Sequence, residues 1–406
     1  MGAGSTATVN GFSFAEEHLA VIESVEGYLN GLGDRKESLL RQISDDNAYP
    51  DELSEAMVKL GLYGALIPEE FGGSGLGLFG MVLAMERFAA WGLSNTMALL
   101  TTMDTMAILR GGTEEQKRTW LPKIAEGKAK MAFAITEPDA GTNSFKIALD
   151  AKPIGEGRYL LNGTKAWITG VNRADYLLVV ARTTSYRRVT EAKLPKSFGM
   201  SLFLVGTGAA GLTKNQMDTV GIEGYQQFQL FFENVEVDDT MRIGEEDLGA
   251  QVLFEALNPE RIVAASFSVG LIDYFLRKSV SYATQRVVFK DSPIGSYQAV
   301  QHPLAKLRIQ QEAARLLTYQ AAHAFDNHAP GQVVGTYANM AKYLASEVGF
   351  EAADRAIQTH GGNGFVKDYG LIQMLAPARL SKTAPINNEM ILNFIAEHEL
   401  GLPRSY

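Results

Sequence analysis

The sequence predicts an α+β protein in three successive parts: a helical domain over residues 1–129, a β domain over 130–244 and a helical bundle over 245–406. Two changes of periodicity and the chain length carry this. Apolar residues recur at three- and four-residue spacing up to about Lys128, give way to short β-rich runs at Met131, and return to helical spacing from Leu248. With 406 residues, 46% of them apolar, the chain can fill two or three cores at roughly 150 residues per domain.

In the first part, Leu53, Ala56, Met57 and Leu60 form one helical stripe after the start signal Pro50-Asp51. Gly112-Thr113-Glu114-Glu115-Gln116 is a capping box, with Thr113 accepting from the next helix and Gln116 reaching back. That helix is expected to stop near Pro122 or Gly127. The β runs are 131–135, 159–161, 176–181, 201–205 and 228–237, and Asn162-Gly163 reads as a type I′ hairpin turn. In the third part Val263, Phe267, Leu271 and Phe275 share one helix face, and Leu304, Leu307, Gln311 and Ala314 another.

Composition removes several function classes. The balance of 37 basic against 46 acidic residues, −9 overall, argues against a protein built to neutralise nucleic-acid phosphates. With no cysteine there is no disulfide, no Cys-ligated metal and no thiol nucleophile. His323 and His328 are five apart, off the spacing that places two ligands on one helix face, and no H-E-x-x-H occurs, so no metal site is expected. Gly2 with Thr6 fits the myristoylation pattern, but no basic cluster follows. With neither a signal peptide nor an apolar run near ~18 residues, a cytoplasmic protein without a membrane span is expected.

Gly75-Leu76-Gly77-Leu78-Phe79-Gly80 matches the spacing of a dinucleotide-binding turn. Such a turn links a buried parallel strand to a helix. Here a helix and Ile67-Pro68-Glu69-Glu70 precede it, so the stretch reads as a loop between helices. Three other segments carry more chemistry. Ile135-Thr136-Glu137-Pro138-Asp139-Ala140-Gly141-Thr142 is a strand ending in a turn rich in hydroxyls and backbone amides, suited to a polar planar ligand. Lys165-Ala166-Trp167-Ile168-Thr169-Gly170 places Trp167 and Thr169 on one strand face, and pattern alone makes Trp167 a core residue. Gln358-Thr359-His360-Gly361-Gly362-Asn363-Gly364-Phe365 interrupts a helical region with glycines, which reads as a helix C-cap or as an approach to phosphates.

At these segments, in this order, and at Leu60-Gly61-Leu62-Tyr63-Gly64, Pro68-Glu69-Glu70-Phe71-Gly72-Gly73, Gly112-Thr113-Glu114-Glu115-Gln116-Lys117 and Arg286-Val287-Val288-Phe289, the chain resembles the acyl-CoA dehydrogenase family. The resemblance covers nearly the whole chain. It implies an N-terminal helical domain, a central barrel-like or sandwich β domain and a C-terminal four-helix bundle. It also implies FAD held between the last two parts, with a neighbouring subunit completing the dinucleotide end. Carried over, Ile135, Thr136, Thr142, Ile168 and Thr169 would line the isoalloxazine edge, and Trp167 would pack on the ring. Arg286 would face the pyrophosphate of a partner's FAD, with Phe289 and Gln298 near its adenine half and Gln358, Gly361 and Gly362 beside them. The family often reads Phe-Gly after Arg-x-x, whereas here Phe289 is followed by Lys290-Asp291-Ser292.

The implied reaction is α,β-dehydrogenation of an acyl-CoA or acyl-carrier-protein thioester, with electrons passed to an electron-transfer flavoprotein by a homotetramer, a dimer of dimers. Many members place the catalytic Glu on a loop near the C-terminus; aligning Ala378-Arg379-Leu380 puts Pro385 there, with Asn387 where the family has a Thr on the FAD phosphate side. A second branch places the Glu at the start of the first long helix of the bundle. Leu257-Asn258-Pro259-Glu260-Arg261-Ile262 matches that context, so Glu260 is the candidate base, and Thr142, Asn258 and Arg261 are the candidate substrate contacts. Without the family, Glu260 reads as a helix-opening acid that suits the macrodipole. Variant chemistries of the same fold (carrier-protein dehydrogenase, oxidase, desulfinase) and a scaffold without catalysis are the alternatives.

Overall fold

The computed structural model describes residues 7–9, 12–93, 96–289 and 291–404; the Gly2 pattern and Lys290 lie outside them. After the hairpin β1 (Ala7–Val9) and β2 (Phe12–Phe14) come six helices: α1 (Glu16–Gly31), α2 (Arg35–Ser44), α3 (Asp51–Lys59), α4 (Gly77–Ala90), α5 (Thr96–Gly111) and α6 (Glu114–Ala125). The β-rich stretch holds β3 (Met131–Ala134), β4 (Asp150–Gly155), β5 (Arg158–Thr169), β6 (Tyr176–Arg182), α7 (Tyr186–Glu191), β7 (Met200–Gly206), β8 (Leu212–Gln216), β9 (Gln227–Asp238) and β10 (Arg242–Ile243). Then follow α8 (Gly249–Gln285), the short hairpin β11 (Val287–Phe289) and β12 (Ser292–Pro293), α9 (Gln298–Asp326), α10 (Gly331–His360), α11 (Leu375–Leu380) and α12 (Asn388–His398).

The chain forms two compact units. One comprises residues 45–75 and 95–260, the other 1–44, 76–94 and 261–406. In the first, an eight-stranded sheet runs β10-β7-β6-β4-β5-β9-β8 with β3 parallel to β6, and its core includes Leu161, Ile168, Leu177, Val179, Phe203 and Leu230. The five β runs read from the sequence are all strands here. Strands β4 and β8 escaped that reading because nearly every side chain on them is exposed, so they carry no apolar alternation. The Thr113–Gln116 box forms as expected, at 2.9 and 3.2 Å.

Asn162-Gly163 is not a hairpin turn: β5 runs straight through it. The register against β9 slips between Leu161 and Gly163, Gly163 takes φ +144°, and a Cβ there would lie 2.9 Å from Leu149 Cα. Glycine marks a bulge under a close backbone crossing rather than a reversal.

In the other unit, Leu271 and Phe275 of α8 pack with Leu304 and Leu307 of α9 and Val348 and Ala352 of α10. The second half of the glycine run is helical, not loop. Gly77 opens α4, and the N–H groups of Leu78 and Phe79 both donate to the Asp326 carboxylate at 2.8 Å. The chain's own carboxylate thus occupies the helix N-terminus where a dinucleotide phosphate would sit. Glu86 of α4 is buried and bound by Arg315 Nε at 2.8 Å and Tyr319 Oη at 3.0 Å.

Candidate active site

The turn after β3 and the end of β5 are stitched into one structure. Glu137 and Ala140 exchange backbone hydrogen bonds across the turn, and the Ala166 N–H donates to the Thr136 carbonyl at 2.9 Å. Under the turn lies a buried ion pair. Lys165 Nζ donates to Glu137 Oε1 at 2.8 Å and to the Ile135 carbonyl at 2.9 Å, and the Glu137 carboxylate also accepts the N–H groups of Ala148 and Leu149. Lys165 is fully shielded from solvent and Glu137 is only 7% exposed. Burial, opposed by Glu137, lowers the Lys165 ammonium to about 8. Fully buried Arg182 donates to the carbonyls of Phe145, Lys196 and Phe198, fixing the two flanking loops.

This scaffold re-aims Trp167. Between the pairs Lys165–Leu230 and Ile168–Phe228, β5 carries one residue more than β9. Trp167 absorbs the excess with φ +58°, and its indole is 57% exposed. The expectation of a core tryptophan is therefore overturned: a left-handed bulge turns the ring outward where straight alternation would have fixed its face. Ile168 points into the core, so only its backbone is available to a ligand. Thr169 Oγ1 donates to Gln227 Oε1 at 3.0 Å. Thr136 is half-buried, and among the described residues nothing bonds its hydroxyl; Thr142 is exposed.

Glu260 does not open a helix. It lies roughly three turns into α8, directly after Pro259, which sits inside the helix. Proline there has no N–H for the Glu255 carbonyl, and the helix continues because packing along its length outweighs that loss. Glu260 is 5% exposed, so it is a buried carboxyl and not a solvated first-turn acid. Asn258 and Arg261 share a helix face, while Glu260 is rotated away from Asn258 by roughly 200°. The Arg261 guanidinium donates to Asn339 Oδ1 at 2.7 Å.

In the unit holding residues 261–406, α10 ends at His360 with Gly361 at φ +58°, the C-cap expected from the glycine cluster. Arg286, Phe289, Gln298, Gln358, Gly361 and Gly362 are all exposed. Arg286 shares a cavity of about 590 Å³ with Arg277, Lys278, His360 and Asn363. Asn387 caps α12, its Oδ1 accepting the Met390 N–H at 2.9 Å. Beside it, buried Lys342 donates to the Ile386 carbonyl and to Asn388 Oδ1, anchoring the segment that carries Pro385.

Burial is the main reason Lys342 is lowered to about 8 from its ordinary 10.5. Between those values the unfolded chain binds more protons than the folded one, so this group makes stability rise with pH. Relative to Lys342→Met, wild type is expected to gain stability from pH 8 to pH 10.5 in urea denaturation. A difference that stays constant over that range counts against the assignment.

Lys165, Glu137, Asp104 and Lys342 were not singled out from the sequence. The available signal was a charged residue at an inward position of an apolar run, as Asp104 is among the methionines and alanines of α5. The donor set suits a flavin dinucleotide. An outward indole beside a hydroxyl-bearing turn matches a planar, hydrogen-bonding ring, and exposed Arg286 at a basic cavity matches a diphosphate.

Comparison with known proteins agrees. Residues 15–128, 132–235 and 247–400 match the family models described as the N-terminal, middle and C-terminal domains of acyl-CoA dehydrogenase. The chain is 41% identical over 359 residues to acyl-CoA dehydrogenase FadE12 of Mycobacterium tuberculosis, covering 88% of this chain and 90% of that one. Butyryl-CoA dehydrogenase from Megasphaera elsdenii superposes with a TM-score of 0.87 at 28% identity, over 96% of this chain and 99% of that one. The FAD complex of PigA superposes with a TM-score of 0.86 at 25% identity, over 96% and 99%. The chain therefore belongs to the acyl-CoA dehydrogenase family, flavin-dependent oxidoreductases whose cofactor is FAD.

Proposed function

We propose that this enzyme oxidises an acyl-CoA thioester to the trans-2-enoyl-CoA and passes the electrons to an electron-transfer flavoprotein. The observation that carries the reading is Glu260: a buried carboxyl on α8, in the same compact unit as Trp167 and the 135–142 turn. FAD, when bound, supplies the acceptor for the β-hydrogen and its electron pair. Glu260 takes the α-proton, and the electrons of that C–H bond become the new C=C bond. A carboxylate is a weak base for such a proton, so the thioester oxygen must be hydrogen-bonded as charge gathers on it. Thr136 and the backbone of Ile135, Ile168 and Thr169 orient the ring edge, Trp167 covers it, and Thr142, Asn258 and Arg261 serve the acyl-CoA.

The reading is tested by adding acyl-CoA thioesters anaerobically to the yellow protein: the flavin bleaches and enoyl-CoA forms. Oxygen consumption without another acceptor points instead to an oxidase.

The FAD diphosphate falls to Arg286, with Phe289, Gln298, Gln358, Gly361, Gly362 and Asn387 along the dinucleotide of a neighbouring subunit in a cytoplasmic homotetramer. In support, Phe289 is 71% exposed, and Val287 and Val288 beside it are exposed too, an apolar hairpin suited to a second copy. Phe289→Asp is expected to purify as a smaller species in light scattering and to lose most of its flavin. A yellow oligomer of wild-type size overturns this part.

A further inference from the structure

Helix α5 buries three polar side chains on one face. Thr101, Asp104 and Thr105 are 1, 0 and 1% exposed, and neither oxygen of Asp104 nor either threonine hydroxyl has a hydrogen-bond partner among the described residues. Proteins keep buried carboxylates charged with cations, N–H donors or water. Among the described residues no cation and no N–H donor reaches Asp104. The charge that acts on it is that of Glu260, itself 5% exposed. Burial first, and Glu260 second, push Asp104 well above the usual carboxylate range.

The other charges near α5 lie at the surface. The helices and strands packed on it bring Asp51, Glu52, Glu55 and Lys59 from α3, Glu114, Glu115, Lys117, Arg118 and Lys123 from α6, and Arg242 from β10, while β3 brings none. All are exposed except Lys117 and Arg242, which are half-buried and paired with Glu114 and Asp239. Arg110 of α5 pairs with Glu255 of α8 at 3.5 Å, again in solvent.

Two carboxyls that interact in a dry site ionise one at a time, and the one without a partner keeps the proton. We infer that Asp104 is a positioning residue for the base: a carboxylic acid that stays protonated at neutral pH, so that Glu260 is the ionised, proton-accepting member of a buried pair. The inference rests on the reading of Glu260 as the base. The proton count closes: the pair holds one proton before substrate reacts, on Asp104, and two afterwards, the second being the substrate's α-proton on Glu260. If Asp104 ionised, two negative charges would face the charge developing on the thioester oxygen and oppose it.

The test is an infrared difference spectrum between wild type and Asp104→Asn, at neutral pH and without substrate. A protonated-carboxyl C=O band is expected in wild type, absent in Asp104→Asn and retained in Glu260→Gln. Should the asparagine variant fail to fold, Asp104→Leu carries the same comparison. The pH profile of substrate-driven flavin bleaching is the second readout. The wild-type rate is expected to fall about tenfold on its alkaline side as Asp104 ionises, and Asp104→Asn to lack that limb. A missing band, or an unchanged alkaline limb in Asp104→Asn, overturns the inference alone. Wild-type bleaching by Glu260→Gln overturns the base assignment and this inference with it.

Discussion

Glu260→Gln is expected to give a folded, yellow protein whose flavin an acyl-CoA thioester no longer bleaches at a useful rate, the loss being roughly a thousandfold. Glutamine keeps the size of the side chain and its hydrogen-bonding oxygen but cannot take the α-proton. Because Glu260 is buried on a long, well-packed helix, removing a charge there does not expose new apolar surface, so the variant isolates chemistry from folding. Stopped-flow absorbance in the flavin bands measures the loss directly. Bleaching within about tenfold of wild type would remove Glu260 from the mechanism while leaving the FAD assignment standing. Glu260→Asp, which shortens the reach by one methylene, should fall between the two.

Lys165→Met is expected to be the most damaging substitution in the sheet, at about 3–5 kcal/mol of stability. It leaves the Glu137 carboxylate buried with the Ala148 and Leu149 N–H groups but without its cation. An uncompensated buried charge costs far more than the intact pair contributes. Adding Glu137→Gln should therefore recover part of the loss, a coupling that a purely steric effect of methionine would not show. Since the same pair ties down the 135–142 turn, Lys165→Met should also release flavin at lower denaturant than it unfolds, followed by absorbance and circular dichroism together. Additive effects of the two substitutions would contradict this account.

Helix and strand periodicity, the Thr113 cap and the ordered family motifs were legible because each depends on residues a few positions apart. Misreadings arose where the chain meets itself over long distances. Gly163 reads locally as a turn and acts as a bulge because Leu149 crosses beside it. Pro259 reads locally as a helix start, yet α8 begins at Gly249 and runs through it. Trp167 reads as core by alternation, and one extra residue against β9 turns it outward.

The sequence alone thus determined the order of helical and β-rich parts, several stripes of the apolar core and the family. Period, capping and turn chemistry are short-range and survive without tertiary context. Only the tertiary structure decided that Asp326 caps a helix 248 residues away, that Lys165 lies under the Glu137 turn, and that Asp104 and Glu260 are both buried. Such partners are selected by where desolvation leaves a charge with no alternative. Desolvation is a property of the folded interior and of no local stretch of chain.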